Sequence, residues 1–121
     1  MNNFVVWFDI PVKNLDRAMK FYSTVMSVEL NPMEIGPSKQ ANFPFVPGMA
    51  SGSLKEGRES EPSAVGTMVY LNGGDDLSVP LKRVTASGGR IVQEKTSLGP
   101  NGFMAIFEDT EGNHVALHSK T

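Results

Sequence analysis

The chain repeats its own pattern. Leu15 and Leu77 sit 62 positions apart at the start of similar runs, and "IGP" at 35–37 returns as "LGP" at 98–100, an offset of 63. In the first half, "FVVWFDIPV" (4–12) is β-branched and aromatic and is stopped by Pro11, the signature of a strand. "NLDRAMKFYSTVM" (14–26) follows, with Asn14 as N-cap and Leu15, Ala18, Met19, Tyr22 and Met26 at amphipathic-helix spacing. In the second half, "GTMVYL" (66–71) predicts a strand. Asp75, Asp76 or Ser78 is expected to cap the helix after it, with Pro80 in its first turn, Leu77, Leu81 and Val84 buried, and Gly88-Gly89 at its end. Three strands are expected to complete each half: "VELNPME" (28–34), "NFPF" (42–45) and "GMASGSL" (48–54), then "GRIVQEK" (89–95), "GFMAIFED" (102–109) and "GNHVALHS" (112–119). Five elements in matching order predict two tandem βαβββ modules. The fold expected is α+β, an eight-stranded cup with helices on the outside. One domain spans 1–121, with module 1 over about 1–55, a linker at 56–64 and module 2 over about 65–121.

Composition enters mainly through what it excludes. A chain of 121 residues supports one core but not two independent ones. Without cysteine there is no disulfide, no thiolate nucleophile and no Cys-based zinc site. A net charge of −2 gives no support for a nucleic-acid surface. The early apolar run "FVVWF" lacks the basic flank of a signal peptide, and no stretch approaches the ~20 apolar residues of a membrane span, so a cytoplasmic domain with no membrane partner is expected. No phosphate-loop motif occurs, so "NGGDD" and "SGG" are turn glycines.

Both histidines, His114 and His118, fall in "EGNHVALH" (111–118), a segment expected to be a strand. Side chains 114, 116 and 118 then share a face, but four residues of strand separate the two Cα atoms by roughly 13 Å. Zinc–nitrogen bonds are only ~2.0–2.1 Å, so the pair alone is not a chelate. Either imidazole can serve instead as a hydrogen-bonding or acid–base group in a pocket, since histidine titrates near neutrality.

"WFDIPVKNLDRAMKFY" and "FMAIFEDTEGNHVALHS" together resemble the vicinal oxygen chelate superfamily, which includes glyoxalase I, extradiol dioxygenases and bleomycin resistance proteins. The likeness rests on Phe21-Tyr22 ending the strand–helix run and on the Asp109-x-Glu111-Gly112 turn. It implies paired βαβββ modules, a ligand cavity between them and a homodimer. It also implies that metal-dependent members place His, Gln or Glu on the first and last strands of each module. Here those positions fall on Trp7, near Gly52, on Thr67 or Val69, and on Ala116. Trp7, Gly52, Val69 and Ala116 cannot coordinate a divalent ion, and Thr67 is a poor ligand.

The expectation is therefore a glyoxalase/bleomycin-resistance-like protein that has lost the usual metal ligands and binds a small organic molecule without a cofactor. Its apolar cavity would be lined by Trp7, Phe45, Met49, Gly52, Thr67, Val69 and Ala116, with Asp9, His114 and His118 as the polar groups. Asp9 and His114 are the candidate catalytic residues. Two alternatives stand beside this reading. One is a lyase, isomerase or dioxygenase using a divalent metal at an altered site built on Asp9, His114 or His118. The other is a non-catalytic regulatory or partner-binding module. "EIGPSKQAN" (34–42) and "TSLGPNGF" (96–103) are expected as loops at the cavity mouths, and "KEGRESEPS" (55–63) as a solvated linker.

Overall fold

Asn14 starts the first helix as the sequence requires, its Oδ1 accepting the N–H of Arg17 at 3.0 Å. The computed structural model describes residues 4–35, 38–57 and 61–121. Its elements are β1 (Trp7–Pro11), α1 (Leu15–Met26), β2 (Asn31–Ile35), β3 (Ser38–Asn42), β4 (Ser51–Glu56), β5 (Tyr70–Asn72), α2 (Ser78–Ala86), β6 (Arg90–Ser97), β7 (Phe103–Glu108) and β8 (His114–Ser119), with a short 3₁₀ turn at Gly99–Asn101. The second helix begins differently from expectation. Leu77 occupies its N-cap without a side-chain bond, while Asp76 Oδ1 accepts the N–H of Ser78 at 2.9 Å. The buried Ser119 hydroxyl of β8 accepts the N–H of Leu77 at 2.9 Å and so ties the helix start to the sheet.

The strands form two sheets of identical plan, β1-β4-β3-β2 and β5-β8-β7-β6. In each, the first strand runs parallel to the last and the remaining pairs are antiparallel. The fold is α+β, two βαβββ modules with the helices outside the sheets. α1 packs on β3 and β4, α2 packs on β6 and β7, and the helices pack on each other. One core therefore runs through both modules, joining Phe21, Tyr22 and Leu54 of the first to Leu77, Val84 and Phe107 of the second.

Two local expectations are corrected. "NFPF" is not the third strand: β3 is Ser38–Asn42, and so "EIGPSKQAN" is not a mouth loop but the end of β2 and all of β3. Ser-Lys-Gln-Ala-Asn carries little strand propensity, and only pairing on both sides, to β2 and β4, holds it extended. Gly36 and Pro37 of the repeated Gly-Pro lie outside the described residues, as do 58–60 of the linker, whose first residues Lys55 and Glu56 belong to β4.

The two motifs that carry the family likeness bind each other. Asp109 Oδ2 accepts the Tyr22 hydroxyl at 2.6 Å and Asn113 Nδ2 at 3.0 Å, and its Oδ1 accepts the N–H groups of Glu111 and Asn113. Asn113 Nδ2 also donates to the Pro11 carbonyl at 2.7 Å. Glu111 accepts the N–H groups of Lys13 and Asn14, both at 2.9 Å, and a two-pronged bond from Arg17 at 2.7 and 2.9 Å. Thus the β7–β8 turn of module 2 caps the helix of module 1, and the motif is a weld between modules. Burial, with Asp109 beside it, pushes the Tyr22 hydroxyl well above its ordinary range. Tyr22→Phe should cost about 1–3 kcal/mol, since it removes a donor from a buried carboxylate. Urea unfolding measures this, and a change below ~0.5 kcal/mol would mean that the bond contributes little.

Candidate functional site

The helices cover one face of each sheet and leave the other open. On β1, Phe8 and Ile10 point into the core, and alternation turns Trp7 and Asp9 to the open face. Pairing places Ser51 opposite Trp7, Ser53 opposite Asp9 and Asn42 opposite Ser53. The Ser53 hydroxyl donates to Asp9 Oδ1 at 2.7 Å, and Lys55 Nζ lies 3.9 Å from Oδ2. The rings of Trp7 and Phe45 meet edge to face with centroids 5.4 Å apart. Met49 is exposed nearby in the chain.

Gly52 is not on this face. It pairs with Phe8, and a Cβ added to it would lie 2.5 Å from the Phe8 ring, on the core side. Counting from Gly48 misplaces the pairing by one residue, and one residue turns a side chain to the opposite face. Gly52→Ala is therefore expected to destabilise by about 1–3 kcal/mol through overpacking. A thermal melt indistinguishable from the parent protein would return Gly52 to the open face.

On the second sheet, His114, Ala116 and His118 share the open face, as their spacing on a strand requires. Thr67 and Val69 do not share it with them in the way expected. β5 begins at Tyr70, which stands directly opposite Ala116, while Val69 packs against the core. β5 takes up its pairing with β8 only at Tyr70, so the aromatic ring of Tyr70 takes the place expected for Thr67 or Val69. The two histidines have separate partners. His114 Nε2 donates to Glu108 Oε1 at 3.1 Å, and His118 Nε2 donates to the Asn101 carbonyl at 2.7 Å. The bond from His114, together with that from Arg90, holds the Glu108 carboxyl below its ordinary range.

Two concavities adjoin these residues. A cavity of about 260 Å³ lies in the seam where β1 meets the chain leading into β5 and the start of β8, and it brings together Asp9, Thr67, Val69 and His114. A wider groove of about 860 Å³ runs beside β5 and takes in Tyr70, Asn72 and His118. The cavity thus unites four of the expected site residues, while Trp7 and Phe45 meet on the open face, Met49 is exposed and Gly52 faces the core.

The family model of the Glyoxalase/Bleomycin resistance protein/Dioxygenase superfamily matches residues 4–117. The chain belongs to this superfamily. It is 30% identical over 113 residues to a glyoxylase-like domain-containing protein of Didymella fabae, covering 90% of this chain and 88% of that one. Its fold is similar to that of a glyoxalase I mutant from Zea mays, with a TM-score of 0.74 at 19% identity. That match covers 97% of this chain but spans only 45% of the maize protein. A glyoxylase/bleomycin resistance protein/dioxygenase domain from Frankia has a TM-score of 0.67 at 15% identity, covering 100% of this chain and 98% of that one.

Superfamily members often bind a metal, but the donors on the open faces here do not suit one. Trp7, Ser51, Tyr70 and Ala116 offer an indole, a hydroxyl, a phenol and a methyl group, a poor set for a divalent ion. Among the described residues, no three His, Asp or Glu side chains gather where one ion could touch them all. The residues present do not fit the group. Sequence reasoning missed Ser53, Glu108 and Tyr70. Alternation on β4 and β7 carried a signal for the first two, but the register of β5 was hidden by the irregular turn after it.

Proposed function

We propose that this superfamily member binds a small organic molecule on the open face of its first sheet, without a divalent metal at the usual positions. The supporting observation is the Trp7–Phe45 corner beside the Asp9–Ser53 pair: a flat apolar surface next to an anchored carboxylate. Trp7 is the only tryptophan of the chain, so its emission reports on the site directly. Titration with planar aromatic compounds should quench it saturably, and Phe45→Ala should weaken the best compound about tenfold. A broad panel with no saturable quenching would refute this reading.

A second reading keeps a metal at a displaced site, because Asp9 and His114 line one cavity. It has two good protein ligands where a catalytic zinc normally has three. Melting temperature with zinc, nickel, manganese or iron(II) separates the readings: no shift is expected, and a shift abolished by Asp9→Ala would establish the metal site instead.

The assembly proposed is a homodimer. Met33, Phe45, Val46, Met49 and Tyr70 are exposed apolar side chains, and a second copy laid over the open faces would cover such surface and enclose the ligand. Light scattering on the eluting protein should give twice the chain mass of 13.1 kDa, and a monomer at all concentrations would refute it.

A further inference from the structure

Among the described residues, Asp9 is the one carboxylate that lines the seam cavity. Asn113 spends its amide hydrogens on Pro11 and Asp109, and its Oδ1 accepts the N–H of Ser63 at 3.0 Å. Ser63 donates its hydroxyl to the Val65 carbonyl at 2.9 Å. His114 Nε2 is engaged by Glu108 Oε1 at 3.1 Å. Asp9 Oδ1 takes the Ser53 hydroxyl, and Oδ2 has only Lys55 at 3.9 Å, a loose surface pair. Of the lining side chains, the Asp9 carboxylate is thus left as the acceptor, and the Thr67 hydroxyl is the one unspent donor among the described residues. The remaining walls are largely apolar, with Phe8, Ile10, Val65, Val69 and Val115 among them.

We infer that the seam cavity, which shares Asp9 with the Trp7–Phe45 corner, is a second binding site that takes a small primary amine in its protonated form. The ammonium, with three donors and no acceptor, meets the Asp9 carboxylate, and a compact hydrocarbon body lies on the valine wall. At about 260 Å³ the cavity lies just below the ~300–1,000 Å³ of drug-sized sites, so the ligand is small.

Benzylamine is the probe, with benzyl alcohol and benzoate as isosteric controls, read by amide and methyl NMR shifts on the full chain. Benzylamine should shift Val65, Val69, Val115 and His114 saturably. Benzyl alcohol should bind at least tenfold more weakly, and benzoate should produce no shifts. Asp9→Asn, which keeps an acceptor for Ser53, should weaken benzylamine at least tenfold, and Thr67→Phe, at an exposed position, should block the cavity. Equal binding of amine and alcohol, an affinity unchanged by Asp9→Asn, shifts confined to Trp7 and Phe45, or no binding would each overturn the inference. Trp7 emission reads the ring corner and the Val65, Val69 and Val115 shifts read the cavity, so either proposal can fail while the other stands.

Discussion

Glu111→Ala should destabilise the protein by about 2–4 kcal/mol, because it leaves two backbone N–H groups at the start of α1 and the half-exposed Arg17 without their shared acceptor. For a domain of this size that is a fall of roughly 10–20 °C in melting temperature. The side chain is fully buried and accepts from two backbone N–H groups at the start of α1, from Arg17 and from the Thr110 hydroxyl at 2.8 Å. Burial alone would raise its pKa, but the Arg17 guanidinium and the N–H donors outweigh burial and lower it from 4.5 to about 2. A carboxylate with a depressed folded-state pKa stabilises above its unfolded value and loses that contribution as pH falls through the folded one. The window here runs from about 4.5 down to about 2, and the contribution at stake is on the order of 3 kcal/mol. Glu111→Gln should therefore flatten the acid arm of the stability curve over that range. Urea titrations at several pH values measure both effects. A loss below 1 kcal/mol for Glu111→Ala, with an unchanged acid arm for Glu111→Gln, would show that the weld does not hold the modules.

The same weld explains what could be read from the sequence and what could not. Strong periodic signals were legible: α1 begins at Asn14 as expected, β7 and β8 fall within a residue or two of "GFMAIFED" and "GNHVALHS", and the duplicated strand order is real. Those elements are specified locally, by caps and by alternating apolar residues. β3 was not legible, because Ser38–Asn42 is polar and owes its conformation to neighbours far along the chain. The candidate site suffered from the same kind of nonlocal control. Alternation alone puts Trp7 with Asp9 on one face of β1, and His114, Ala116 and His118 on one face of β8. Gly52 and the Thr67/Val69 position needed the register of a parallel pairing across dozens of residues, which no local pattern encodes. The residues most specific to the superfamily, Tyr22, Asp109 and Glu111, are spent on holding the modules together, so they identify the fold and carry no information about the ligand.

The aromatic cluster beneath the weld makes the second large prediction. Phe107 of β7 is fully buried, with its ring 5.8 Å from Phe21 and 6.2 Å from Tyr22 of α1, and Tyr22 in turn lies 5.8 Å from Phe43 of module 1. Phe107→Ala removes a ring from a site with no access to water, and such truncations cost about 3–5 kcal/mol. The location of the loss matters more than its size. If each module carried its own stability, a cavity under β7 would loosen the second sheet and leave the first as it was. Because Phe107 packs on the helix of the other module, the destabilisation should reach both sheets in one transition. Trp7 emission follows the first sheet, and hydrogen exchange at Val115 and Leu117 follows the second. In Phe107→Ala the two should report the same midpoint, shifted together. An unmoved Trp7 transition beside an early loss of protection in β8 would show two units that melt apart, and the single core described here would have to be divided.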